Sequence, residues 1–176
     1  MKKLLTVLLL FFMATAFTQQ GYPVPPAGKY RLFYIQHSNN HNTFVYDLNI
    51  TASGKINTAD PIDVYRLTYE RTKKGVRDEL SPVQRKMAYG ITVTSVTATQ
   101  CSFTLAAYPE KIFTAKLGAD NVPHVFVSAN GKNLMLGRLF LQMGKLPSSV
   151  EYIDFYGKDM ASSKEAVERL VIIAHN

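Results

Sequence analysis

The chain has 176 residues, one cysteine, and 20 basic against 13 acidic residues, which gives a formal net charge of +7 at pH 7. Removal of the N-terminal segment described below leaves 176 − 16 = 160 residues, a length that favours one domain and argues against two. The single cysteine, Cys101, excludes an internal disulfide, so the packed core must hold the fold together.

The first residues, MKKLLTVLLLFFMATAF, contain two lysines, then an apolar run from Leu4 to Met13, and then small residues. This order is typical of a secretory signal peptide, which we assign to residues 1–16. The run is shorter than the roughly 20 residues that a membrane-spanning helix needs. We therefore expect no transmembrane anchor after signal removal, and a protein exported to the periplasm or the extracellular space.

Residues 17–28 form a leader rich in proline and glycine, with Pro23, Pro25 and Pro26 close together. Because proline lacks a backbone donor, we expect the leader to run extended and to join no sheet. A single β-rich domain is expected over residues 29–176.

The stretch from Tyr30 to Thr51 is predicted to form a β-hairpin, with turn-forming residues at positions 37–42. Alternation along its two arms places five apolar side chains on one face of the sheet. They are Phe33, Ile35, Phe44, Tyr46 and Leu48. A third strand is predicted over residues 61–70, followed by a charged loop over residues 71–78.

The segment Ser81-Pro82-Val83-Gln84 contains an N-cap serine, a proline at the first helical position and a glutamine at the third. This capping box predicts a short helix near residues 82–88, ending at or before Gly90. Farther along, Asn130-Gly131 predicts a two-residue hairpin turn, because both residues accept positive φ angles.

Threonine, valine and aromatic residues predict further strands. They cover residues 91–98, 102–108, 111–117, 124–128, 133–142 and 150–156. Residues 162–174 are ambiguous between a capped helix and a strand, and we favour a closing strand. A total of about nine short strands with one helix predicts a mainly β fold, an antiparallel barrel or sandwich.

Three segments resemble a secreted bacterial family that is catalogued only as domain of unknown function 4833. The likeness lies in residues 33–47, with Asn40, Asn42 and Tyr46, in residues 61–65 and in residues 80–90. The resemblance implies an exported, β-rich domain and supplies no activity. Family members are expected to have a tryptophan where this chain has Arg66, and this chain contains no tryptophan.

Six residues from the hairpin, the third strand and the helix form a candidate ligand-binding site. They are Asn40, Asn42, Tyr46, Arg66, Arg85 and Tyr89. Arg66 lies in a strand otherwise built mainly of apolar and aromatic residues. If it points inward, it needs an acidic partner or the anion of a ligand, since an unpaired buried charge is unfavourable. The alternative is an outward arginine paired with Glu70.

His37 and His41 flank the segment Ser38-Asn39-Asn40 at the hairpin tip. A metal site would need three or four ligands, and the remaining candidates, Asp47, His124 and His175, are scattered, so we expect no metal or cofactor. Nucleophilic catalysis would use Ser38 with a histidine, but the chain lacks a nucleophile turn and an oxyanion-hole glycine pair.

Removal of the two lysines of the signal peptide leaves a net charge of 18 − 13 = +5, part of which lies in a basic loop. The loop contains Arg71, Lys73, Lys74 and Arg77. In an exported protein its anionic partners would be lipid headgroups or polysaccharides, not nucleic acid, and a solvated basic surface is the alternative.

These patterns predict an exported cell-envelope module that binds an unidentified small ligand or envelope component without catalysis. One alternative is an envelope hydrolase that uses His37, Ser38 and His41. The other is a structural envelope protein.

Overall fold

The computed structural model describes residues 21–70, 72–146 and 149–172. The predicted signal peptide over residues 1–16 lies outside these ranges, as do Arg71 and His175. Within the described ranges, no helix is long and apolar enough to cross a membrane.

The described residues form one helix and eleven strands. In chain order these are β1 (Arg31–His37), β2 (Asn40–Leu48), β3 (Ile62–Thr68), β4 (Val76–Glu79), α1 (Pro82–Met87), β5 (Ile91–Val96), β6 (Gln100–Leu105), β7 (Tyr108–Leu117), β8 (Pro123–Ala129), β9 (Lys132–Met143), β10 (Val150–Asp159) and β11 (Glu165–Val171).

The predicted mainly β class is confirmed, and the curled sheet fits the description of a barrel or sandwich. The ambiguous C-terminal segment forms β11, as we favoured. One element was missed, because the segment interpreted as a charged loop contains β4. β4 is an edge strand whose side chains are mostly exposed, so its charges meet solvent and its composition resembles that of a loop.

All eleven strands belong to one sheet. Nine follow the order β4-β3-β2-β1-β9-β8-β7-β6-β5, while β10 pairs with β9 and β11 pairs with β10. The 12-residue β9 connects the parts of the sheet, since it pairs with β8, β10 and β1. Its pairing with β1 is parallel and joins Tyr34 to Arg138 and His37 to Leu141.

The inner face of the curled sheet holds the main core. The five alternating hairpin residues predicted for one face all belong to this core, and all are buried. The ring of Phe33 stacks on Tyr46 with a centroid distance of 4.3 Å and on Phe113 at 5.7 Å. Cys101 is fully buried in the same core, and burial raises the pKa of its thiol to about 11.

Two local predictions are confirmed in atomic detail. The Ser81 hydroxyl accepts a hydrogen bond from the Gln84 amide at 3.2 Å, and the Gln84 side chain accepts one from the Ser81 amide at 3.0 Å. At the β8–β9 turn, Asn130 and Gly131 have φ angles of 49° and 79°. Both features depend on a few neighbouring residues, which is why the sequence alone predicts them.

The outer face of the central strands is also covered. A second apolar cluster contains Val45, Tyr65 and Leu67, with Tyr34 and Tyr69 packed against it.

The described part of the leader contains no strand, as predicted, but it packs against the sheet. Pro25 is buried. The Pro23 carbonyl accepts a hydrogen bond from the Gln36 side chain at 2.8 Å, and the Tyr22 hydroxyl donates to the Ser38 carbonyl at 3.1 Å.

Candidate functional site

A cluster of four rings lies on the inner face where the β1–β2 hairpin meets the segment after α1. We call His37, Phe44, Tyr46 and Tyr89 the ring cluster. The Tyr46 hydroxyl donates to the Tyr89 carbonyl at 2.7 Å, and the Tyr89 hydroxyl lies 2.8 Å from Nε2 of His37. The rings of Phe44 and Tyr89 stack with their centroids 3.5 Å apart. The ring cluster therefore joins the hairpin to the chain after the helix.

Burial controls protonation in the ring cluster. It lowers the pKa of His37 to about 4, raises the pKa of Tyr89 to about 12, and raises the pKa of Tyr46 well above its ordinary value. Near neutral pH the imidazole is therefore uncharged and both phenols keep their protons.

The structure brings three of the sequence-predicted site residues together around His37. Tyr46 and Tyr89 belong to the ring cluster, and the Asn40 side-chain nitrogen lies 3.5 Å from Nδ1 of His37. Asn42 instead links the hairpin to the end of β3. Its side chain donates to Glu70 at 2.8 Å and accepts from the Tyr69 amide at 3.2 Å.

Arg66 belongs to the inner face, at the edge of the ring cluster. It pairs directly with Phe44 across β2 and β3, and directly paired residues of antiparallel strands share a face. Its acidic partner is Asp78 of β4, with Nη2 and Oδ2 3.3 Å apart. The alternative in which Arg66 pairs with Glu70 is not what the structure has, because Glu70 binds Asn42.

The bonding around Arg66 is uneven. Asp78 also accepts from the Thr68 hydroxyl at 2.6 Å and from the Lys73 ammonium at 3.2 Å, and these bonds lower the pKa of its carboxyl. The Nε atom of Arg66, in contrast, is buried and has no hydrogen-bond partner among the described residues. We call Phe44, Arg66, Asp78 and Tyr89 the rim.

Arg85 lies apart from these contacts. Its side chain is 53% exposed, and its guanidinium lies 3.7 Å from Glu79. The helix buries none of its own residues, so its contribution to the rim is to end just before Tyr89.

The hairpin-tip residues considered for catalysis point in different directions. The Ser38 hydroxyl accepts from the Met143 amide at 2.9 Å, while His37 joins the ring cluster. His41 is exposed beside the Tyr22 ring. Asp47, the nearest carboxylate across the hairpin, is bonded to Arg31 and Tyr65. The fold therefore disperses the groups that a serine–histidine–aspartate arrangement would need to bring together.

The predicted basic loop is partly neutralised. Lys73 pairs with Asp78, and Arg77 pairs with Asp63 and Glu79. Lys74 has no ion pair within the part of the chain that the structure describes. In the same ranges, no group of three or more His, Cys, Asp or Glu side chains is placed to hold a metal ion.

The outer face carries an arrangement that the sequence interpretation missed. Cross-strand pairing aligns Tyr34 of β1, Arg138 of β9 and Tyr156 of β10, which we call the outer-face row. Arg138 is only 8% exposed, and its guanidinium carbon lies 3.8 Å from the centre of the Tyr156 ring. Two positions along β10, the buried Asp154 is held by two hydrogen bonds from Arg169. A charged residue inside an apolar strand is the sequence signal that could have identified Arg138, as it identified Arg66.

An open depression of about 490 Å³ lies elsewhere, on strands β7 to β9. Its lining includes Ile112, Lys116, Phe126 and Met160, and none of the sequence-predicted site residues. This depression therefore lies apart from the ring cluster and the rim.

Comparison with known proteins identifies the family of the chain. The model of the domain of unknown function DUF4833 matches residues 33–169. No curated protein and no solved structure gives a significant match. Because the match covers more than half of the chain, the protein belongs to the DUF4833 family.

Proposed function

We propose that the protein is an exported, non-catalytic module that binds a small polar ligand at the rim. The observation that carries the proposal is the buried Nε of Arg66, which has no hydrogen-bond partner among the described residues. A buried donor left unpaired costs about 1–3 kcal/mol. An acceptor atom of a ligand at this position recovers that free energy.

The ion pair of Arg66 indicates the chemical class of the ligand. Its positive charge already faces the ionised Asp78, which Lys73 and Thr68 also hold. What Arg66 lacks is therefore an acceptor for one donor, not a counter-charge. Hydroxyl and carbonyl oxygens meet this need, so we favour an uncharged, oxygen-rich ligand such as a sugar. The half-buried ring of Tyr89, which stacks on the buried Phe44, offers it an aromatic surface.

Binding is favoured over hydrolysis by the state of His37. A general base works best when its pKa lies near the working pH, and burial lowers the pKa of His37 to about 4. Its Nε2 is also already engaged by the Tyr89 hydroxyl. His37 is therefore better suited to hold the ring cluster together than to activate Ser38.

Export is supported by the order of charged, apolar and small residues at the start of the chain. N-terminal sequencing of protein recovered from the envelope fraction tests this part. We expect the mature chain to begin just after residue 16. An unprocessed Met1 in the recovered protein would contradict export through this signal.

Binding is tested by native mass spectrometry of the mature protein purified from its own compartment. We expect a discrete added mass on the wild-type protein and its loss in Arg66→Met, which keeps an unbranched apolar side chain but removes the donors. Lys86→Met, an exposed change on α1, is the matched control and keeps the added mass. A wild-type protein without added mass, or an Arg66→Met protein that retains it, would contradict the proposal.

A further inference from the structure

Arg138 differs from every other arginine that the structure describes. Five of the six have a carboxylate oxygen within 4 Å. The pairs are Arg31 with Asp47, Arg66 with Asp78, Arg77 with Asp63 and Glu79, Arg85 with Glu79, and Arg169 with Asp154. Arg138 forms no such pair in the described ranges, although it is the most buried of the six at 8% exposure.

The neighbours of Arg138 are aromatic. Tyr34 and Tyr156 pair with it on either side in the sheet, and the guanidinium acts to lower the pKa of both phenols. The Tyr156 ring also contacts it face-on at 3.8 Å. Aromatic rings and neutral hydroxyls accommodate a cation but supply no negative charge.

The nearest acid along the paired strand is already engaged. Asp154 shares the outer face with Tyr156, two positions away, but receives Nε and Nη2 of Arg169 at 2.7 and 2.8 Å. This bidentate pair uses both oxygens of the carboxylate. Arg138 is therefore a buried cation without a counter-charge, which is strongly unfavourable unless an anion supplies one.

We propose that the outer-face row, formed by Tyr34, Arg138 and Tyr156, is a second binding site, which takes the oxyanion group of an acidic ligand. The guanidinium matches the planar or tetrahedral oxygens of a carboxylate or a phosphate. Tyr34 and Tyr156 flank it in the sheet.

Two surrounding features favour an anion at this position. Arg31 lies close enough to Tyr34 for its positive charge to act on that phenol, whereas Tyr156 is subject to the opposite charges of Asp154 and Arg169. Burial raises the pKa of both tyrosines, so neither phenol adds a negative charge beside the guanidinium near neutral pH. The outer-face row lies on the face opposite the rim and shares no residue with the rim, so either proposal can be contradicted without the other.

The test is a titration with inorganic phosphate and, separately, with acetate, at constant ionic strength, followed through the backbone amide resonances of Tyr34, Arg138 and Tyr156. We expect saturable shifts in the wild-type protein. A tighter response to phosphate identifies a phosphorylated ligand, and a tighter response to acetate identifies an acidic sugar or peptide carboxylate.

Substitutions assign the response to the guanidinium. Arg138→Met should abolish the saturable shifts. Arg138→Lys keeps the charge but loses the fork of donors, and should weaken binding by about tenfold. Arg77→Met is the matched control, because Arg77 also lies on a tyrosine ring, at 3.9 Å from Tyr65, but has carboxylate partners. We expect its affinity to stay within about twofold of wild type.

Three results would overturn the proposal. They are shifts that rise linearly without saturation in the wild-type protein, an Arg138→Lys protein with unchanged affinity, and an equal loss of affinity in Arg77→Met. If Arg138→Met does not fold, the comparison between Arg138→Lys and Arg77→Met decides the question alone.

Discussion

The rim and the outer-face row are two versions of one local design. Each places an arginine in the interior of a strand and pairs it in register with aromatic residues, Phe44 for Arg66 and the two tyrosines for Arg138. They differ in what each arginine lacks. Arg66 has a counter-charge but one unpaired donor, whereas Arg138 has neighbouring acceptors but no counter-charge.

If both proposals hold, the neighbouring strand, not the arginine, determines the ligand class. β4 brings Asp78 to Arg66. β11 instead brings Arg169 to Asp154, so that this acid, two positions from Tyr156 on the same face, is already paired. Arg138 is buried and Arg66 is half-buried with a buried Nε, but the unmet bonding capacity predicts a neutral polar ligand at Arg66 and an anion at Arg138.

The largest predicted effect comes from comparing two variants, each of which removes the arginine partner of one carboxylate, Asp154 or Asp78. Arg169→Met leaves Asp154, which is 2% exposed, without its ion pair, and the free energy of unfolding should fall by more than it does in Arg66→Met. Arg66→Met leaves Asp78 with Lys73 and Thr68, so we expect a fall below about 1 kcal/mol. Urea denaturation measures both, and equal losses would contradict the distinction between the two arginines.

Acid should act on the ring cluster beside the rim. The folded protein holds the pKa of His37 near 4, whereas the ordinary value is 6.5. As the pH falls below 6.5 the unfolded chain binds a proton that the folded chain excludes, so stability decreases until about pH 4 and then levels off. The contribution amounts to about 3 kcal/mol.

The His37→Gln variant isolates this effect. Urea denaturation between pH 7 and pH 4 should show a smaller loss of stability in His37→Gln than in the wild-type protein. His41→Gln, an exposed change in the same hairpin, should follow the wild type. Parallel pH curves for wild type and His37→Gln would show that the imidazole does not titrate as the structure requires.

A smaller effect is expected from the Tyr89 hydroxyl, which joins the segment after α1 to His37 of the hairpin. Tyr89→Phe keeps the stack on Phe44 but removes the hydrogen bond to His37, and should cost about 1 kcal/mol of unfolding free energy. Tyr108→Phe, which keeps the ring that contacts Lys111, should change stability by less than about 0.5 kcal/mol. Thermal and urea unfolding of the two variants test this. A larger loss of stability in Tyr108→Phe than in Tyr89→Phe would contradict a stabilising hydrogen bond between Tyr89 and His37.

The smallest effect concerns the basic loop, for which contact with anionic lipid stays a prediction. A lysine near an anionic membrane contributes about 1 kcal/mol, so Lys74→Met should lower partition onto vesicles that contain anionic lipid by roughly fivefold. Lys73→Met should have less effect, because Lys73 already pairs with Asp78. Sedimentation with such vesicles tests this. The absence of any binding by the wild-type protein would exclude the lipid contact.

The sequence by itself determined the local structure. Alternation identified the inner side chains of the hairpin from Phe33 to Leu48, the capping box located α1, and Asn130-Gly131 located a turn. It also singled out Asn40, Tyr46 and Tyr89, which the fold brings together around His37. These features are encoded in residues a few positions apart, where steric limits and hydrogen bonds act directly.

Only the tertiary structure decided which strands pair, and these pairings form the two candidate sites. The parallel pairing of β1 with β9 places Tyr34 against Arg138, more than one hundred residues away in the sequence. The pairings of β3 with β4 and of β10 with β11 determine that Asp78 faces Arg66 and that Asp154 faces Arg169. Such pairings depend on how all the faces of the sheet are buried together, so no short pattern of residues predicts them.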